Sequence, residues 1–203
     1  MRFIGIIGQT GAGKSTVCVA LAARGFFVLD GDRLAHEVTA PGSSVLAELA
    51  KAFGQDILEL PASGNGHDCL PALNRRVLAR RAFASPEATA RLNAIIHPAI
   101  AALAHTKLAV PDSQIAFLEG ATLLESPLAN ECAAFIAVTA PEDLRLARLL
   151  ARDKLSAEDI LLRMSAQRSE VEYCEKADFV IVNDGVQAIE PQVEQMLTAL
   201  AIL

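Results

Sequence analysis

Positive charge is in short supply in this sequence. Lys and Arg number 18 against 24 Asp and Glu, for a net charge of −6. A surface of that sign opposes binding to nucleic acid, which depends on a basic face that releases counterions. Cysteine is sparse as well: Cys18, Cys69, Cys132 and Cys174 are widely separated, with no Cys-x-x-Cys pair. That spacing argues against a zinc site or a disulfide framework and leaves the thiols as small apolar fillers. Although 52% of the residues are hydrophobic, no apolar run approaches the roughly 18 residues that cross a bilayer, and the Met-Arg-Phe-Ile start lacks the pattern of a signal peptide. A soluble, cytoplasmic protein that engages neither nucleic acid nor membrane is expected.

What is present is a set of short apolar runs separated by helix-compatible stretches. Residues 3–7, 26–29, 115–118, 133–138 and 179–182 each read as a buried strand, and their alternation with helices predicts an α/β fold with an open, five-stranded parallel sheet flanked by helices. A chain of 203 residues suits one domain with appendages. One appendage is the stretch of about 80 residues between the second and third strands, too long for a crossover and expected to fold as a helical insertion over about 33–110. Its predicted helices are 43–53, 73–83 and 86–108, the last with Ser85 as N-cap and Pro86 at its first position; residues 61–66, rich in Pro, Ser, Asn and Gly, read as a surface loop. The other is 141–173, predicted as two helices that meet near 154–156, the second started by Ser156 and Asp159.

The most specific motif is Gly8-Gln9-Thr10-Gly11-Ala12-Gly13-Lys14-Ser15, with an apolar strand before it and a helix-compatible stretch after it. This is the spacing of a P-loop: glycines let backbone N–H groups curl around a phosphate, the following helix adds its positive end, Lys14 bridges the β- and γ-phosphates, and the Ser15 hydroxyl ligates Mg²⁺.

Residues beyond the loop choose the reaction class. The second strand delivers Asp30-Gly31-Asp32 to the carboxyl edge of the sheet, where α/β proteins place ligands. Asp32 is the preferred acceptor for the proton of an attacking hydroxyl; helix capping before Leu34 is the competing role. Glu119, after the third strand, stands where an acid often holds a water-bridged Mg²⁺, or is an ordinary loop acid. Arg145, Arg148 and Arg152 are three and four residues apart and share a helix face, either as a lid over the transferring phosphoryl group or as a solvated stripe. His97-Pro98, among apolar neighbours, is read as a packed residue and not as a catalyst.

On these residues the chain resembles the dephospho-coenzyme A kinase family over most of its length. The P-loop and Asp30-Gly31-Asp32 are joined by Leu73-Asn74-Arg75-Arg76, Leu92-Asn93, His97-Pro98, Gln167 and Ala177-Asp178-Phe179-Val180-Ile181-Val182-Asn183-Asp184-Gly185. The resemblance implies a P-loop kinase with a helical acceptor-binding insertion and a helical lid over about 141–173. The implied reaction moves the γ-phosphate of ATP, with Mg²⁺, to the ribose 3′-hydroxyl of dephospho-coenzyme A. It implies roles for Asp32 beside the acceptor hydroxyl, for Gly11, Ala12, Gly13, Lys14, Ser15 and Thr16 as the ATP loop, for Arg148 in the lid and for Asn183 near the adenine. Two features depart from the family pattern: Thr122-Leu123-Leu124-Glu125 replaces Pro-Leu-Leu-x-Glu, and Gln9-Thr10 stands where Gly-Ile or Gly-Leu is frequent. Rival readings are a P-loop kinase for a nucleoside monophosphate, shikimate or gluconate, and a nucleotide-binding protein without catalysis; Asp30, Asp32 and the arginine stripe favour catalysis.

Overall fold

In this computed structural model, residues 2–60, 70–109, 115–120, 122–152 and 156–202 are described. In chain order, β1 (Arg2–Ile7), α1 (Lys14–Ala23) and β2 (Phe27–Asp30) come first. Next are α2 (Gly31–Val38), α3 (Ser44–Phe53), the short strands β3 (Leu58–Glu59) and β4 (Ala72–Leu73), α4 (Arg75–Ala82) and α5 (Pro86–Leu108). The chain continues with β5 (Ile115–Glu119), β6 (Cys132–Thr139), α6 (Glu142–Arg152), α7 (Ala157–Ser165), α8 (Glu170–Lys176), β7 (Phe179–Val182) and α9 (Ile189–Ala199). Contacts divide these elements into two compact units, Met1–Gly31 with Pro111–Leu203, and Asp32–Val110.

The first unit is built on the expected five-stranded sheet, in the order β2-β5-β1-β6-β7, with every pairing parallel. Strands buried on both faces need apolar side chains on both, which is why runs such as Phe3-Ile4-Gly5-Ile6-Ile7 show no polar alternation. Ile4, Ile6, Phe117, Ile136, Val138 and Ile181 of the sheet pack with Val17, Ala20 and Leu21 of α1 and with Val193, Met196 and Leu197 of α9 in one buried cluster. Phe117 is fully buried and meets Phe26 edge to face, with ring centroids 5.4 Å apart at 81°, a favoured aromatic geometry. A smaller cluster of Leu149, Ile160 and Met164, joined by Leu146, fastens α6 to α7.

The second unit is helical. Leu49, Ala50, Phe53, Ile57, Leu78 and Ala82 form its core, with Leu92, Ile95 and Ile96 of α5 packed against it. Helix starts follow the expected chemistry: Ser43 accepts from Leu46 N–H and Ser85 from Ala88 N–H, with Pro86 in the first turn, each satisfying a donor that the helix leaves orphaned. His97 is half-buried in α5.

Three sequence expectations need correction or fall outside the description. The helix expected at 73–83 begins at Arg75, because Asn74 caps it by accepting from Val77 N–H and Leu73 pairs with Leu58 in an antiparallel two-stranded ribbon. Strands of two residues are too short to show a period. The segment 141–173 holds three helices among its described residues, not two: Ser169 and Glu172 form a capping box that starts α8 after α7 has ended at Ser165. Ser156 does cap α7, accepting from Asp159 N–H. The loop expected at 61–66 lies outside the described residues. Among the described residues no helix is long and apolar enough to cross a membrane.

Truncation of a fully buried aromatic side chain costs about 3–5 kcal/mol through lost transfer energy and the cavity left behind. Phe117→Ala should lower the unfolding free energy by about that much in urea titration; a loss under about 1 kcal/mol would mean that the β5–β2 half of the core is not packed as described.

Candidate active site

A parallel sheet offers its ligand crevice at the carboxyl ends of the strands, beside the strand from which the chain turns to both sides. Here that strand is β1, central between β5 and β6, and the loop that leaves it is the P-loop. Gly11 and Gly13 have φ of 79° and 92°, values that L residues rarely adopt. Among the described residues, the N–H groups of Gly11, Gly13 and Ser15 donate to nothing. Unsatisfied donors at the start of a helix make a ready anion site.

Lys14, the first residue of α1, is 8% exposed. Its Nζ donates to Gly8 O at 3.0 Å and to Gln9 O at 3.3 Å, and lies 3.7 Å from Glu119 Oε1. The ammonium is therefore already desolvated and aimed by the loop that it serves. Glu119 ends β5 and pairs in register with both Ile6 of β1 and Asp30 of β2, so two carboxylates stand side by side at the sheet edge. Their field is felt by Cys18: burial first, then Glu119 and Asp30, push its thiol up to about 12, which keeps it neutral and makes it a filler, as expected. Ser15 and Asp30 are exposed. Among the described residues no group of three or more His, Cys, Asp or Glu could hold a metal. A hydroxyl plus one or two carboxylates nevertheless suits Mg²⁺, which keeps water and phosphate oxygens as its remaining ligands.

The carbonyl side of the loop is covered by α6 and by the end of β7. Arg148 Nη1 donates to Gly11 O at 3.2 Å and Ala12 O at 3.4 Å, while Nη2 donates to Asn183 O at 3.0 Å and Asn183 Oδ1 at 3.2 Å. Asn183 Nδ2 donates to Ala12 O at 2.9 Å. A Cβ on Gly13 would lie 1.9 Å from that Nδ2, so the third motif glycine is required by this approach as well as by its φ. Asn183 is held in turn by its N–H bond to Thr139 O at 2.8 Å.

The structure thus brings together Gly11, Ala12, Gly13, Lys14, Ser15, Arg148, Asn183 and Glu119 in one unit. Thr16 is exposed in the first turn of α1. Asp32 belongs to the other unit: it is exposed and is the second residue of α2, two positions beyond the end of β2 and inside the first turn, not at the cap. The three arginines of α6 are graded, with Arg145 buried, Arg148 half-buried and Arg152 exposed, which does not fit a solvated stripe. Sequence reasoning missed the partners of residues 9 and 10: Gln9 Nε2 donates to Arg168 O at 2.8 Å, and Thr10 N–H donates to Gln167 Oε1 at 2.8 Å. These pairs are 159 and 157 positions apart, and no local pattern announces them.

Comparison with known proteins is in accord with this geometry. Residues 2–188 match the family described as dephospho-CoA kinase. The dephospho-CoA kinase of Anaeromyxobacter dehalogenans (strain 2CP-C) is 36% identical over 204 residues, covering 98% of this chain and 92% of the relative. Among solved structures, TT1252 from Thermus thermophilus superposes with a TM-score of 0.78 at 33% identity, over 99% of this chain and 96% of that one. Shikimate kinase from Acinetobacter baumannii reaches a TM-score of 0.54 at 15% identity, over 100% and 94%, which shows a shared P-loop kinase fold and no more. The chain belongs to the dephospho-CoA kinase family.

Proposed function

We propose that this chain transfers the γ-phosphate of ATP to the ribose 3′-hydroxyl of dephospho-coenzyme A, the last step of coenzyme A synthesis, in the cytoplasm where ATP is available. Family membership supports the acceptor. The observation that carries the chemistry is Lys14, whose desolvated ammonium is fixed by Gly8 O, Gln9 O and Glu119 in a loop with unsatisfied N–H groups.

Phosphoryl transfer passes through a loose transition state, so the protein acts mainly by positioning and by charge stabilisation. The N–H groups of Gly11, Gly13 and Ser15 receive the phosphate oxygens, with Ala12 and Thr16 completing the loop, and Lys14 offsets charge on the γ-phosphoryl as it leaves. Arg148 ties up the outward carbonyls of Gly11 and Ala12, whose negative ends would otherwise oppose the triphosphate, and adds a unit of positive charge to the same site. Asn183, hydrogen-bonded to Ala12 O and Arg148, is assigned to the adenine end. Ser15 and Glu119 would hold Mg²⁺, which when bound neutralises phosphate charge. Asp32 receives the proton of the acceptor hydroxyl. In this reading one P-loop kinase domain carries an acceptor-binding insertion over about 33–110 and a lid over about 141–173.

ADP formation measured in parallel with dephospho-coenzyme A, AMP, CMP and shikimate tests the acceptor. Rapid turnover is expected with dephospho-coenzyme A alone; preference for any other acceptor would assign the chain to another kinase class.

For Asp32, two substitutions separate proton acceptance from a contribution to the helix start. Asp32→Asn keeps size and hydrogen bonding at the first turn but removes the base, and is expected to bind ATP, to melt near wild type and to lose about 10²-fold or more in kcat. If Asp32 only supports α2, Asp32→Asn will stay active and Asp32→Ala will instead be destabilised, by up to about 1 kcal/mol.

A further inference from the structure

Arg145 carries a permanent charge into the interior without an ion-pair partner among the described residues. Its residue is 5% exposed. Nε is buried without an acceptor. Among the described residues its side chain donates one hydrogen bond, from Nη1 to Gln9 Oε1, in the P-loop. Glu142, Glu158 and Glu170 line the same cavity of about 970 Å³, yet none of them pairs with it. A buried cation without a counter-ion is costly, and departures of this kind from the rules of a stable fold are found at functional sites.

The geometry points at the loop. Gly11, at φ of 79°, packs so closely on α6 that a Cβ there would lie 2.9 Å from Arg145 O and 3.1 Å from Arg145 Cβ. Gln9 is the connection: its Oε1 accepts from Arg145, its Nε2 donates to Arg168 O between α7 and α8, and its backbone carbonyl accepts from Lys14 Nζ. One residue therefore links the buried guanidinium and the α7–α8 connection, through its side-chain amide, with the ammonium of the phosphate loop, through its backbone carbonyl.

We infer that Arg145 is a positioning residue for nucleotide binding, whose missing counter-charge is the triphosphate of the bound nucleotide and whose placement is transmitted to the loop by Gln9. This rests on the proposal that the loop holds ATP. In a desolvated site a fixed cation attracts a polyanion over more than contact distance, so Arg145 needs no direct phosphate contact. It lowers the stability of the empty protein and raises affinity for the charged ligand.

The test uses the full chain with Arg145→Met, Gln9→Met, the double variant and Gln9→Glu, measuring melting temperature and the Kd of ATP and of uncharged adenosine by titration calorimetry. Arg145→Met should melt no lower than wild type, because an unpaired buried charge is gone, while its Kd for ATP rises about tenfold, the scale of one unit charge across a partly buried site, and its Kd for adenosine stays within about twofold. Gln9→Met should shift ATP affinity in the same direction, and the double variant by less than the product of the two. Gln9→Glu supplies the missing counter-charge inside the protein, so it should melt higher than wild type and bind ATP more weakly. A lower melting temperature for Arg145→Met with unchanged ATP affinity would make Arg145 a structural residue and overturn the inference, as would equal weakening of ATP and adenosine. Wild-type protein that fails to bind ATP would overturn the assignment of the loop itself; wild-type binding with an unaffected Arg145→Met overturns only the role of Arg145.

Discussion

A P-loop can cradle phosphate only if its N–H groups face one way, and a backbone that turns its N–H groups inward turns its carbonyls outward. Those carbonyls are buried against the rest of the protein and must find donors. Here Lys14 takes the carbonyls of Gly8 and Gln9, Arg148 those of Gly11 and Ala12, and Asn183 adds a bond to Ala12. Satisfying the outer surface of the loop dictates much else. It requires α6 to lie across the loop, β7 to end at the level of β1, and residue 13 to lack a Cβ. Two of these three donors, Lys14 and Arg148, are cations, so bonds that shape the loop also make it positive, which reconciles a net charge of −6 with a site for a polyanion.

The acidic side of the site follows from strand register. Asp30 and Glu119 end adjacent parallel strands in register, so their carboxylates stand together wherever the sheet edge is. Lys14 faces one of them at 3.7 Å. At that distance lysine and glutamate partly answer each other's charge.

Much of this was legible in the sequence because it is local. The five strands were marked by apolar runs, α5 by Ser85-Pro86 at its start, and the loop by glycine spacing with strand and helix context. Asp30 proved to be the last strand residue, which left Asp32 as the acid beyond the strand. Illegible were the features made by distant residues: the two-residue ribbon of Leu58–Glu59 with Ala72–Leu73, the break between α7 and α8, and the contacts of Gln9 and Thr10 with residues 168 and 167. Arg145, Arg148 and Arg152 were recognisable as one helix face, but their grading from buried to exposed depends on where α6 lies, which helical periodicity does not report.

The proposed reaction joins a positively charged loop, a carboxylate two residues beyond β2 and dephospho-coenzyme A at one hydroxyl. Its most direct test is product analysis: purified protein incubated with ATP, Mg²⁺ and dephospho-coenzyme A, followed by ³¹P NMR and mass spectrometry. One new phosphomonoester on the ribose 3′-oxygen, formed in step with one ADP per coenzyme A, is the predicted result. ADP without a phosphorylated acceptor, or phosphate at the 2′-oxygen or elsewhere on the molecule, would contradict it.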